Sequence, residues 1–260
     1  MPLPSYPQKQ DTSAKENSER YYMREDTPEK AVGAALILQA IALFLGKASN
    51  WCSYKLQKGK EFASADKVKH IADKMVKDNK LNGLNVEYVG AANKAALEKA
   101  HEVGLGEVAR GENAFFSKAK NLAVAPESKP SLMLHELGHA VNATKGRFMK
   151  FLQNSRGYVT IVPTALLILS SLLPRKKENK PNFVERNAGL IGFAAFAPTI
   201  AEEAIASGRG INAARKVMGK AANLAPLKRN YALALTTYIL AGVGLGVAAK
   251  ETILRNKVDY

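Results

Sequence analysis

The chain has 260 residues and carries 38 Lys and Arg against 23 Asp and Glu, a net charge of +15. Its single cysteine, Cys52, rules out an intrachain disulfide and any cysteine-based zinc cluster. Hydrophobic residues make up 47% of the chain, but they are gathered into blocks flanked by cations, which favours an anionic lipid surface over nucleic acid as partner.

In chain order, residues 1–30 are polar and charged and read as a disordered tail rather than a cleavable signal peptide. Four stretches lack charge: Ala31 to Gly46, Gly157 to Pro174, Asn187 to Ala201 and Asn230 to Ala249. A membrane-spanning helix needs about twenty apolar residues and no fewer than about seventeen, so the fourth stretch qualifies and the second only just does. The first reaches spanning length as residues 31–51 if Lys47 snorkels; the third contains Gly189, Gly192 and Pro198, which suit close packing or a kink. A mean hydropathy of -0.17 also fits a soluble helical bundle, and it is the block lengths that favour the membrane. The fold class expected is α+β, mainly α: a small soluble domain over 52–156 combined with about four apolar helices, namely 31–51, a hairpin over 157–201, and 230–260.

Within 52–156 the periodicity changes several times. Ser64 to Asn79 places Val68, Ile71, Ala72, Met75 and Val76 on one helical face, with Asp66 as candidate cap. Asn85 to Val89 alternates as a strand, and Lys94 to Val103 reads as a helix closed by Gly104. Ala114 to Ser117 and Leu122 to Ala125 form a predicted hairpin, ended by Pro126 and Pro130.

The next helix, Ser131 to Ala143 (SLMLHELGHAVNA), with Ser131 placed to cap it, contains H-E-x-x-H. His135 and His139 lie one turn apart on the same face, so their imidazoles can converge on one tetrahedral zinc ion. Glu136 sits beside that face as candidate general base, and Gly138 allows another element to approach closely. The hairpin just before the helix is where a zinc peptidase would keep the edge strand that pairs with a peptide substrate. A third ligand is required. Only His70 and His101 remain as histidines, both upstream, and position 145 is Lys where a third histidine six residues after His139 would fall. A carboxylate is therefore expected, and Glu202 and Glu203 follow the third uncharged block; at Glu202 the plainer reading is a helix exit at the membrane interface. Residues 202–229 hold the candidate ligand helix and, from 208 to 229, a basic connector that includes Arg209, Arg215, Lys216 and Lys220.

HELGH followed by Glu203-Ala204-Ile205-Ala206-Ser207, with an apolar hairpin between them, resembles membrane gluzincin peptidases of the HtpX and YugP kind. Arg209 fits the YugP-like extension, while Ser207 stands where the HtpX side carries aspartate. The resemblance covers about residues 110–210. It implies a zincin-like domain holding one zinc ion on His135, His139 and Glu203, with Glu136 as catalytic base and protein or peptide as substrate. It also implies an integral protein of the bacterial inner membrane with the site facing the cytoplasm; the flanking Lys and Arg are too evenly shared to set orientation. If the hairpin crosses the membrane twice, Glu203 returns to the histidines' side. Arg209 and Tyr158 are candidate electrophilic helpers.

Three other readings compete. A site-2-type intramembrane protease takes its third ligand from an aspartate on a later helix, and this chain has none between Asp78 and Asp259. A structural zinc site has no use for Glu136, and a basic lipid- or nucleic-acid-binding membrane protein would make the motif accidental.

Overall fold

The computed structural model describes residues 28–173 and 181–258. The expected tail lies outside the described residues, except for its last three positions, which open the first helix. That helix, α1 (Pro28–Gln57), leads into α2 (Ala65–Asp78), β1 (Asn85–Val89), α3 (Lys94–His101), the one-turn α4 (Gly106–Ala109), β2 (Phe115–Ser117) and β3 (Leu122–Pro126). Then follow α5 (Leu132–Thr144), α6 (Arg147–Asn154), a 3-10 segment (Ser155–Ile161), α7 (Val162–Leu172), α8 (Phe183–Met218) and α9 (Ala225–Val258). The protein is mainly helical with one three-stranded sheet, in agreement with the α+β, mainly α expectation.

The sheet order is β1-β3-β2, with β1 parallel and β2 antiparallel to β3. All five residues of β3 are buried at its centre. β2 is left as an edge on the side of the metal-motif helix. A core beneath the sheet joins Val68, Ile71, Ala72 and Met75 of α2 to Met133, Leu134, Leu137 and Val141 of α5 and to Ala214 of α8. The α2 stripe is thus the one its sequence spacing predicts, although Ser64 rather than Asp66 occupies the cap position and Asp66 falls in the first turn. Similarly, α3 stops at His101 with Glu102 in the left-handed region, φ 51°, so the helix closes before Gly104.

Two helices, α8 and α9, are long and apolar enough to cross a membrane among the described residues. Two of the four uncharged blocks therefore stand as candidate spans among the described residues, and the 157–174 block makes a third if its bent helix pair forms one broken span. The stretch at 157–174 is broken instead of straight: α7 has 11 residues, roughly 16 Å and about half the hydrocarbon thickness. Pro163 in its first turn starts a new helix, and the axis bends by 78° between Arg147–Val159 and Val162–Leu172. The third block, short by itself, is absorbed into the 36-residue α8, which opens with a reciprocal capping box between Asn182 and Glu185. α8 and α9 touch backbone to backbone where Gly189 and Gly192 face Gly246, the close packing that small residues permit. α1 packs along α9, and Leu36, Ile37, Leu43 and Phe44 on its outer face are exposed.

Candidate metal centre

The site forms where α5 crosses α8. The crossing is tight because each helix offers a glycine to the other's backbone. A Cβ on Gly138 would fall 2.3 Å from the carbonyl oxygen of Ala206, and one on Gly210 would fall 2.9 Å from that of Leu134. Gly138 thus performs the close approach expected of it, and its neighbour is the helix that carries Glu203.

Across this contact His135 Nε2 lies 3.0 Å from Glu203 Oε2 and 3.0 Å from His139 Nε2, and the third side, His139 Nε2 to Glu203 Oε2, is 3.6 Å. A zinc ion with tetrahedral bonds of about 2.0–2.1 Å separates its ligand atoms by roughly 3.3 Å. These three donors fit that spacing, and they form a cluster able to hold a metal. His70 is exposed on α2, and His101 lies 3.5 Å from Glu87, so neither remaining histidine takes part.

Both rings are fixed from behind. His139 Nδ1 donates to Glu202 Oε1 at 2.8 Å, and His135 Nδ1 lies 3.0 Å from Ser207 Oγ. With each Nδ1 occupied, each Nε2 is turned to the same point, the arrangement that fixes the tautomer of metal-binding histidines. This corrects the plainer reading of Glu202. Its carboxylate is fully buried and also accepts from Asn142 Nδ2 at 2.8 Å, Gln153 Nε2 at 3.3 Å and Arg156 Nη2 at 2.5 Å. An exit at the interface would have left it in water. Ser207, the departure from the HtpX-like pattern, supplies the hydroxyl that holds His135.

Arg156 bridges the adjacent acids, since its Nη2 also donates to Glu203 Oε1, the oxygen turned away from His135. Arg209 lies one layer further out, where its Nε donates to Asn142 Oδ1 at 2.6 Å. It supports Glu202 through Asn142 and does not face the cluster. Tyr158, the other candidate helper, is 66% exposed and lies outside the cleft.

A cleft of about 460 Å³ opens onto the cluster, lined by Phe115 and Phe116 of the edge strand, His135, Glu136, His139, Gln153, Arg156 and Tyr238. Gln153, Arg156 and Tyr238 carried no sequence signal as site residues, because each comes from an element whose position only the fold determines. Glu136 is buried, and burial pushes its carboxyl above the ordinary glutamate value against the pull of His139 and His135. Burial disfavours charge on His139, but hydrogen bonds to Glu202 and Glu203 outweigh it and push the metal-free imidazole up to about 10.

No protein-family model, curated protein or solved structure matches this chain. The functional reading therefore rests on the geometry of the site and the chemistry of its donors.

Proposed function

We propose that the chain is a membrane-associated zinc metallopeptidase that hydrolyses peptide bonds in membrane or membrane-proximal proteins, built as a zincin-like domain joined to apolar helices. The observation that carries this reading is the convergence of His135 Nε2, His139 Nε2 and Glu203 Oε2, within 4.8 Å of one another, beside a buried Glu136 and at the floor of an open cleft. His135, His139 and Glu203 would hold the ion, leaving the cleft side free. A zinc ion held there supplies Lewis acidity, which acidifies water and polarises a carbonyl. Glu136 accepts the proton of the attacking water and delivers it to the departing amine.

Substrate binding is supported by β2. Because the sheet ends at Phe115–Ser117, an extended peptide can add to that edge and lie along the cleft wall, its backbone bonded and its side chains alternating. The bacterial inner membrane, with the site on the cytoplasmic side, is the setting that the HtpX-like resemblance adds.

The test measures bound zinc and casein cleavage for the full chain in lipid nanodiscs. Glu136→Gln is expected to keep zinc and lose cleavage by at least about a hundredfold, whereas Glu203→Ala loses zinc. Wild-type cleavage by Glu136→Gln would refute the mechanism, and unaltered zinc affinity in Glu203→Ala would refute the ligand set.

A further inference from the structure

The segment from Arg147 to Ile161 has two faces with different surroundings. On the inner face Met149 and Leu152 are buried, Gln153 donates to the His139 carbonyl at 3.0 Å and to Glu202, and Arg156 holds both Glu202 and Glu203. On the outer face Phe148, Phe151, Tyr158 and Ile161 are 67%, 60%, 66% and 56% exposed. Phe148 and Phe151 are three residues apart and share a side of α6. Arg147 and Lys150, both exposed, form the adjoining side. Exposed aromatics bordered by cations are the pattern of a helix lying in the lipid interface.

Two further observations identify lipid as the occupant. The exposed apolar surface continues from Ile161 into α7, where Ile168, Leu169 and Leu172 are also exposed, so the outer face of α6 is the start of a longer apolar surface. In addition, the 78° bend turns the Arg147–Val159 axis nearly perpendicular to α7. When α7 points into the hydrocarbon, α6 lies flat at the headgroup level, with its cations at the depth of anionic phosphates.

We propose that α6 is an interfacial helix seated on an anionic bilayer surface, and that this seating holds Gln153 and Arg156 against the metal-site carboxylates. The outer support of the metal centre then depends on the membrane, and the cleft opens at the lipid surface. The coupling rests on the metal-site reading given above; the seating does not.

Single cysteines placed at Phe151 and Lys74 in a Cys52→Ser background, each carrying a small fluorophore, report depth in phosphatidylcholine/phosphatidylglycerol nanodiscs through lipid-soluble and water-soluble quenchers. The label at 151 is expected to be reached by the lipid-soluble quencher and shielded from the water-soluble one, with the label at 74 showing the reverse. Equal water accessibility at 151 and 74 would overturn the seating, and equal seating in pure phosphatidylcholine would overturn the role of anionic lipid. For the coupling, zinc affinity is read in the Glu136→Gln background, which removes cleavage from the measurement. Phe148→Ser with Phe151→Ser should weaken zinc by about tenfold, while Phe148→Trp with Phe151→Trp keeps it. Unchanged zinc affinity in the serine pair would overturn the coupling. A parent chain that binds no zinc would overturn both the metal-site reading and the coupling, and the label at 151 would still decide the seating.

Discussion

Glu202 and His139 are joined by a 2.8 Å hydrogen bond from Nδ1 to Oε1, and the acid in that pair is fully buried. His135 has only a serine hydroxyl in the corresponding place, at 3.0 Å. The two imidazoles are thus held by bonds of different strength, because a carboxylate acceptor is roughly twice as effective as a neutral one.

That asymmetry predicts an order of effects on metal binding. Glu202→Gln should weaken zinc by about 10–100-fold, the usual cost of losing an outer-layer partner. Ser207→Ala removes a neutral hydrogen bond worth about 1 kcal/mol, which is roughly fivefold. Competition titration with a chelator measures both, and the assignment of roles fails if the serine variant is the more damaging of the two.

Zinc uptake should depend on pH. In the metal-free chain His139 is pushed up to about 10, so at neutral pH it carries a proton that the ion must displace. Binding releases that proton, and affinity should rise about tenfold per pH unit across roughly pH 6 to 8. A flat profile in that range would show that His139 gives up no proton to the metal.

The α5–α8 crossing predicts a severe effect from a small change. In Gly138→Ala the new methyl meets the Ala206 backbone, which cannot swing aside as a side chain could. The helices must separate, costing about 1–3 kcal/mol by overpacking, and Glu203 moves away from the histidines. Lower thermal stability together with lost zinc binding is expected; Gly208→Ala, whose Cβ meets nothing within 4 Å, serves as the neutral control.

Away from the metal centre, burial raises the Glu61 carboxyl above its ordinary value, against the hydrogen bond from Ser131 and the charge of Lys129. Ser131 Oγ donates to Glu61 Oε1 at 2.9 Å, while Oε2 is buried without a hydrogen-bond partner. The folded chain therefore holds the Glu61 proton more tightly than the unfolded chain. Its contribution to stability is full below about 4.5 and is lost as pH rises through the folded value. Glu61→Gln keeps an acceptor for Ser131 and removes this titration. Its melting temperature should fall less than that of the wild type between mildly acidic and neutral pH.

Much of this architecture was legible in the residues, and the parts that were not share a cause. Strand Asn85–Val89 and the buried stripe of α2 follow from local spacing, and H-E-x-x-H sets two donors on one face whatever surrounds it. Glu203 was reachable through the ExxAS pattern in the HtpX-like resemblance. Glu202 misled because a carboxylate after an apolar block has the same sequence signature whether it meets water or a buried histidine. The partners that separate the two cases, His139, Asn142, Gln153 and Arg156, lie 46 to 63 residues earlier and are delivered by the fold. Ser131 likewise sits at the cap position of α5 but turns its hydroxyl to Glu61, leaving the helix end without a side-chain cap. The broken stretch at 157–174 was hidden by composition, which counts apolar residues without registering that Pro163 restarts the helix at an angle.

Twenty residues of continuous helix separate Phe183 from Glu203 in α8, roughly 30 Å, which is about the thickness of a bilayer's hydrocarbon core. If the rod crosses the membrane as proposed, it works as a ruler. It fixes the metal ligand just past the far surface, so the bonds within reach are those in the first few residues emerging from the lipid. A thicker or thinner bilayer would shift that cutting height.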